Sequence, residues 1–218
     1  MKFAWWHKFL RSVFLFLFLI FLTTLLPLYP STVNYVDFTD IQYYLNPARE
    51  FDLFKKVLTF ERNWKSRVSE KLVIAIIYQS SYSLSTWAME DWHKLYENLP
   101  ETDKQLEHIP IALVTIDLDS TTPLENELRE NRVNFVYLTP LEASKSQKLI
   151  KSVKDLCTKL KIATFTAIPE YLDYGLAVCF KLQDSKVQIL LNLEASKAQG
   201  LSFSSQFLRL TSLRGKNG

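Results

Sequence analysis

Lys71 to Tyr78 reads K-L-V-I-A-I-I-Y. From Leu72 to Ile77 apolar side chains stand at odd and even positions alike, so a strand here buries both of its faces. That is the pattern of a central strand in a parallel sheet covered by helices on each side. Behind it, Leu84, Ala88, Trp92, Leu95 and Leu99 recur at helical spacing. Ile111 to Ile116, Val133 to Leu138 and Ala163 to Ile168 read as three further strands. Two helices fit between them. Thr122-Pro123-Leu124-Glu125 and Thr139-Pro140-Leu141-Glu142 each read as a capping box with proline at the first helical position. Leu149, Val153, Leu156 and Leu160 stripe the second of these helices. Strand and helix alternate throughout, the sign of crossover units in a parallel sheet.

Further on, Leu176 to Leu182 and Val187 to Asn192 predict an antiparallel hairpin across Gln183-Asp184-Ser185-Lys186. A short helix follows, which Gly200 can close because glycine adopts the left-handed conformation without penalty. Phe203, Phe207, Leu210 and Leu213 predict one stripe on a final helix. The expected fold is therefore α/β: a mixed sheet of about six strands, with parallel βαβ units first and a C-terminal antiparallel hairpin and helix last. The layering is Rossmann-like, without a nucleotide loop.

Upstream of the first strand, Asn46-Pro47 reads as an N-cap and N1 pair. Phe51, Phe54 and Leu58 form the apolar stripe of the helix it opens, and Leu53, Val57 and Phe60 broaden it beyond one packing stripe. These first three residues are candidate partner contacts; the plainer reading is a helix that covers the sheet. Before it, residues 30–46 read as a polar, aromatic linker. Residues 1–29 read as a signal peptide or signal anchor: Lys2, Lys8 and Arg11 precede a stretch without charge from Ser12 to Val36, and Val13 to Leu22 is wholly apolar. Basic residues on the short N-terminal side predict that this end stays in the cytoplasm and the rest is exported. Cleavage and retention as an anchor through residues 12–29 both stay open, because the apolar length is close to the ~20 residues that span a bilayer. The expected domain runs over 47–213, and 214–218 is a tail.

The chain has 218 residues, with 48% apolar, which is enough for one ordinary domain with a core. Net charge is +3, with basic and acidic residues interspersed, so nothing points to a nucleic-acid surface. Glycine occurs at only four positions: 175, 200, 215 and 218. Loops that cradle phosphates need glycine where the backbone approaches the ligand. None follows any of the first four strands, which argues against dinucleotide and P-loop readings. No cofactor is expected.

Catalytic and metal constellations are equally thin. Asp117 and Asp119 sit just past the second strand, where carboxylates can be catalytic, but loop initiation is the simpler role. His7, His93 and His108 have no second ligand at metal spacing, and no nucleophile elbow accompanies any serine. Trp87 and Trp92 lie on different faces of one helix, so one can be core and the other an exposed contact. Cys157 lies beside a helix stripe and Cys179 in a strand. Export would place both in an oxidising compartment, where they are a candidate disulfide pair or two separate buried thiols.

The C-terminal segment carries a further signal. Leu191-Asn192-Leu193, Glu194-Ala195, Gly200-Leu201, Ser204-Ser205 and Phe207-Leu208-Arg209-Leu210 resemble, in order and spacing, the closing motif of the YfiR family of small bacterial periplasmic proteins. The resemblance covers roughly Phe51 to Leu213 by element order. Tyr174-Gly175 stands where the family usually has a glycine pair, and Thr211 where it has alanine. The resemblance implies a non-enzymatic periplasmic regulator. Such a protein binds the periplasmic part of an inner-membrane diguanylate cyclase, or of a sensor kinase, and restrains it; release raises cyclic-di-GMP and favours biofilm growth. Disulfides are also implied, without an alignment of Cys157 and Cys179 to a family pair. A homodimer and membrane contact through the N-terminal segment are compatible with that reading. The alternative is a periplasmic small-molecule-binding protein, which would need a large pocket near Tyr78-Gln79-Ser80 and Asp117.

Overall fold

The first strand, β1 (Leu72–Tyr78), is buried from Leu72 to Ile77, as a run apolar on both faces requires. Leu72, Ile74 and Ile76 enter one core, while Val73, Ala75 and Ile77 enter another on the opposite face. The structure, a computed structural model, describes residues 46–183 and 186–214. All of these belong to one compact unit.

Helix α1 (Pro47–Thr59) opens as its sequence predicts, with Asn46 Oδ1 accepting from the Ala48 N–H and proline in the first turn. A single turn, α2 (Trp64–Arg67), leads into β1. Then come α3 (Ser83–Asn98), the two-residue β2 (Gln105–Leu106), β3 (Ile109–Asp117), α4 (Leu124–Glu130), β4 (Phe135–Leu138), α5 (Ala143–Leu160) and β5 (Ala163–Thr166). A 3-10 helix over Pro169–Tyr174 crosses to β6 (Val178–Gln183), which pairs with β7 (Lys186–Leu191). The chain closes with α6 (Leu193–Ala198), α7 (Ser205–Leu210) and β8 (Ser212–Leu213).

These strands form one sheet in the order β2-β3-β1-β4-β5-β6-β7-β8. β3, β1, β4, β5 and β6 are mutually parallel. β7 is antiparallel to β6, and β8 returns parallel to β7. The expected mixed α/β sheet is thus present with eight strands instead of about six. The additions, β2 and β8, are two-residue edge pieces that carry no periodicity. Residues 184–185, in the expected hairpin turn, lie outside the described residues, as do the expected leader, the linker up to residue 45, and the tail from 215.

Helices cover both faces. α1 and α3 pack on one, where Phe54 meets Phe135 and Phe165 edge-on and Phe51 meets Trp92. α4 and α5 pack on the other through Leu128, Ile150, Val153 and Cys157.

Three expected helix boundaries differ. Pro123 and Glu142 occupy the cap positions of α4 and α5, so neither threonine caps its helix. Thr139 is instead fully buried, and donates to the Ile77 carbonyl at 3.0 Å. At the C-terminus, α7 ends at Leu210 because Thr211 turns extended and Ser212–Leu213 pair with β7. Phe207 is core at 1% exposure, but Leu210 and Leu213 are 68% and 59% exposed. Phe203 lies outside the helix, in a bridge to Glu61.

Candidate functional site

In an open α/β sheet, ligands bind outside the carboxyl ends of the strands, at the point where successive crossovers diverge. Here the divergence falls between β1 and β4. From β1 the chain moves to β3 on one side, and from β4 it moves to β5 on the other. The residues at this point are Gln79, Ser80 and Ser81 after β1, Asp117 at the end of β3 and Asp119 after it, and Thr139 and Glu142 after β4.

Their own groups bond to one another there. The Gln79 N–H donates to Ser85 Oγ at 2.8 Å, Ser85 Oγ lies 2.6 Å from Thr139 Oγ1, and Thr139 Oγ1 donates to Ile77 O. This chain has one consistent direction. Thr139 gives its proton to a carbonyl, so Ser85 gives its own to Thr139, and Ser85 accepts from an amide. No base abuts Ser85 in that sequence of bonds, and all four residues are buried. The arrangement locks the start of α3 against β1 and β4; it does not activate a nucleophile. The buried Gln79 amide bridges outward, with Oε1 accepting from the Glu142 N–H at 3.1 Å and Nε2 donating to Ser81 Oγ at 3.1 Å.

The backbone donors are also taken. After β1, the Ser80 N–H donates to Asp117 Oδ1 at 3.0 Å and the Ser81 N–H to Asp119 Oδ2 at 2.8 Å. In a phosphate-binding fold such amides face the ligand; here two carboxylates of the same chain occupy them. Hydrogen bonding from Ser81, side chain first and then backbone, holds Asp119 below the usual aspartate range. Asp117 accepts a second bond, from the Asp119 N–H. Loop initiation is thus the role that the geometry gives both aspartates.

Beyond them the electrostatics are one-sided. Burial, followed by Asp117 and Glu130, raises Glu127. Burial, followed by Asp117 and Glu127, raises Tyr78.

The other residues singled out by sequence fall elsewhere. Phe51, Phe54 and Leu58 are 1%, 3% and 0% exposed, packed between the sheet and α3. The breadth of apolar surface on α1 is used to cover the sheet, and its exposed face is polar, with Arg49, Asp52 and Lys56. Cys157 and Cys179 are free, fully buried thiols in separate clusters, Cys157 under α5 and Cys179 with Leu172 and Leu190. Burial pushes Cys157 up to about 12 and raises Cys179, to which Glu50 and Glu170 add. His93 lies 3.4 Å from Glu97 on the exposed face of α3, His108 sits in the tight β2–β3 turn, and His7 lies outside the described residues. Among the described residues, no group of three His, Cys, Asp or Glu side chains could hold a metal. Trp92 is core, and Trp87 is 53% exposed.

Two features gave no usable sequence signal. One is a cleft of about 550 Å3 beside the amino end of β6, lined by Lys154, Asp173, Tyr174, Asn192 and Glu194. It lies away from the switch point. The other is a clasp on the closing motif. Arg67 donates to the carbonyls of Lys161 and Gln199 at 3.0 and 3.1 Å, and to that of Gly200. Glu61, nearly fully buried, accepts from the N–H groups of Ser202 at 2.7 Å and Asn63 at 3.0 Å. The closing motif is therefore a structural seam between the two ends of the described chain. A charged residue with partners 133 positions away is invisible to local pattern.

A family model described as YfiR/HmsC-like matches residues 63–212. No curated protein matches the sequence. Among solved structures, the ligand-free, open form of a substrate-binding protein with adhesive properties from Clostridium difficile is similar in fold. It gives a TM-score of 0.51 at 13% identity, over 73% of this chain and 59% of that one. A conserved domain protein from Vibrio cholerae aligns with a TM-score of 0.48 at 11% identity, over 78% and 60%. A domain bound to L-Trp from Streptococcus pneumonia aligns at 0.46 and 11%, over 77% and 60%. The chain spans less than two thirds of each of these proteins.

Proposed function

The chain belongs to the YfiR/HmsC-like family, and we propose on that premise that it is a non-enzymatic regulator. It acts in the periplasm on the periplasmic part of a membrane signalling protein, with a diguanylate cyclase the first expectation and a sensor kinase the second. The leader over residues 1–29 carries the domain over 47–213 across the membrane, either as a cleaved signal or as an anchor through residues 12–29. Among the described residues, no helix is long and apolar enough to cross a membrane.

The observation that carries this reading, beside the family match, is the internal bonding of the switch point. Ser80 and Ser81 spend their backbone donors on Asp117 and Asp119, and Ser85 lies in a proton-donating chain that ends on a carbonyl. A binding protein acting through its surface needs neither an open crevice nor a nucleophile. The alternative, a small-molecule-binding protein, draws its pocket from this same position, where the side chains already meet one another.

A binder shifts a signalling equilibrium only by its differential affinity for the two states; tenfold tighter binding to the restrained state contributes about 1.4 kcal/mol. The test is co-purification of the full chain with detergent-solubilised membranes, followed by identification of the retained protein. A retained cyclase or kinase with a periplasmic portion supports the reading. Retention of neither, with cyclic-di-GMP unchanged on gene deletion, contradicts it.

A further inference from the structure

β3 lies at one side of the sheet, and β2 covers only its start, opposite Ile109 and Pro110. The direction of its backbone groups follows from three bonds. The Ile111 N–H donates outward to Lys104 O, and Ile111 O accepts outward from the Tyr96 hydroxyl. The Leu118 N–H donates inward to Tyr78 O of β1. Because strand groups alternate in direction, Leu113, Thr115 and Asp117 point outward with Ile111. Past the Tyr96 hydroxyl, no described residue pairs with the groups of Leu113 and Thr115.

Protein edges of this kind are usually blunted by lysine, proline or a bulge. The stretch Ile111 to Ile116, I-A-L-V-T-I, carries none of the first two and pairs with β1 in unbroken register. Its apolar side chains are incompletely covered at Ala112, Leu113 and Val114, and Thr115 is exposed. The far end of the edge is acidic: Asp117 has Glu127 and Glu130 beside it, while Asp119, which follows, already has Lys145 acting on it. The raised Glu127 and Tyr78 are explained by burial and by these carboxylates, with no cation among their causes.

We propose that the edge of β3 from Leu113 to Asp117, whose Leu113 and Thr115 groups no described residue pairs, accepts an extended strand from the regulated membrane protein. That strand has apolar or β-branched residues at alternate positions and a lysine or arginine where it meets Asp117 and Glu127. The proposal rests on the regulatory reading above and adds the surface and the chemistry of the partner. Main-chain bonds to Leu113 and Thr115 supply the affinity, and the cation sets the register against the acidic end. A second copy of this chain would bring the same acidic end and no such cation from its own Leu113–Asp117 stretch.

The experiment places the photo-reactive residue benzoyl-phenylalanine at Thr115 of the full chain in cells, with the same residue at exposed Thr59 of α1 as the control. The expected result is an adduct at 115 and not at 59, mapped by mass spectrometry to a membrane protein's periplasmic segment that alternates apolar residues and carries Lys or Arg within two positions. Thr115→Pro removes an outward N–H, and Thr115→Lys restores the usual edge protection. Both are expected to weaken co-purification of that protein at least tenfold while the purified variants keep a cooperative thermal transition. An adduct with a second copy of the chain overturns the proposal, as does an adduct with a segment lacking the cation. So does full co-purification with both variants, or no adduct at 115 in cells where gene deletion still alters cyclic-di-GMP. If deletion leaves cyclic-di-GMP unchanged while the mapped adduct forms, the strand surface stands and the cyclase reading fails.

Discussion

The Arg67 guanidinium caps the carbonyl of Gly200, with Lys161 O and Gln199 O held by the same side chain. Gly200 has φ +81, and a Cβ there would meet Arg67 Nη2 at 3.0 Å. The left-handed conformation calls for glycine at this point of the closing motif, and a side chain there would also press on the Arg67 guanidinium. Gly200→Ala is expected to cost about 1–2 kcal/mol for the left-handed backbone alone, and to loosen the Arg67 contact besides. Arg67→Ala is expected to cost about 1.5–3 kcal/mol, the range for hydrogen bonds to a charged group. Burial holds the Arg67 pKa below its ordinary value, an effect that Glu61 partly offsets. Urea denaturation of the two variants and their double mutant measures the coupling; strict additivity would contradict the clasp.

Ser85→Ala is expected to destabilise by about 1–3 kcal/mol, because it strands the buried Gln79 N–H and deprives Thr139 of its donor. Once the variant is folded, cyclic-di-GMP control should match wild type. A folded Ser85→Ala chain that had lost control would point to chemistry at the switch point.

Phe207 stacks on Phe60 at 5.3 Å and lies against Phe203 at 4.7 Å. Phe207→Ala is expected to cost about 3–5 kcal/mol through lost burial and a cavity. Leu210→Ala, on an exposed side chain, should fall within about ±0.5 kcal/mol. Calorimetry separates the two; equal losses would mean that Leu210 is covered.

That contrast shows what local pattern can carry. The run from Leu72 to Ile77 announced a two-sided strand, and the alternation of strand and helix announced the parallel sheet, because both follow from short-range periodicity. Phe207 and Leu210 share a helical stripe in sequence, yet α7 is only six residues long and its chain leaves to pair with β7. Which end of the stripe is core depends on that pairing. Likewise, Thr139 fits a capping box locally, but its hydroxyl is taken by Ser85, 54 positions earlier. The breadth of α1 was legible; its use in bridging Phe135, Phe165 and Trp92 was not.

Asp119 links the switch point to pH. Its folded pKa is depressed, by Ser81 hydrogen bonds before any other cause. Its contribution to stability is therefore present above the ordinary aspartate pKa, and is lost as pH falls through the lower folded value. Glu127, raised chiefly by burial, acts in the opposite sense: protonation on acidification relieves it. Asp119→Asn is expected to flatten the acid limb of a melting-temperature profile, and Glu127→Gln to raise stability at neutral pH. An unchanged acid limb in Asp119→Asn would contradict the assigned role of Ser81.

The proposed regulation acts from outside the cytoplasm. The most direct measurement is cyclic-di-GMP in a strain lacking the gene, complemented either by the full chain or by residues 47–218 without a leader. The level is expected to shift on deletion, and the full chain is expected to restore it while the leaderless chain does not. Restoration by the leaderless chain would contradict regulation from outside the cytoplasm, and an unchanged level on deletion would contradict the cyclase as its target.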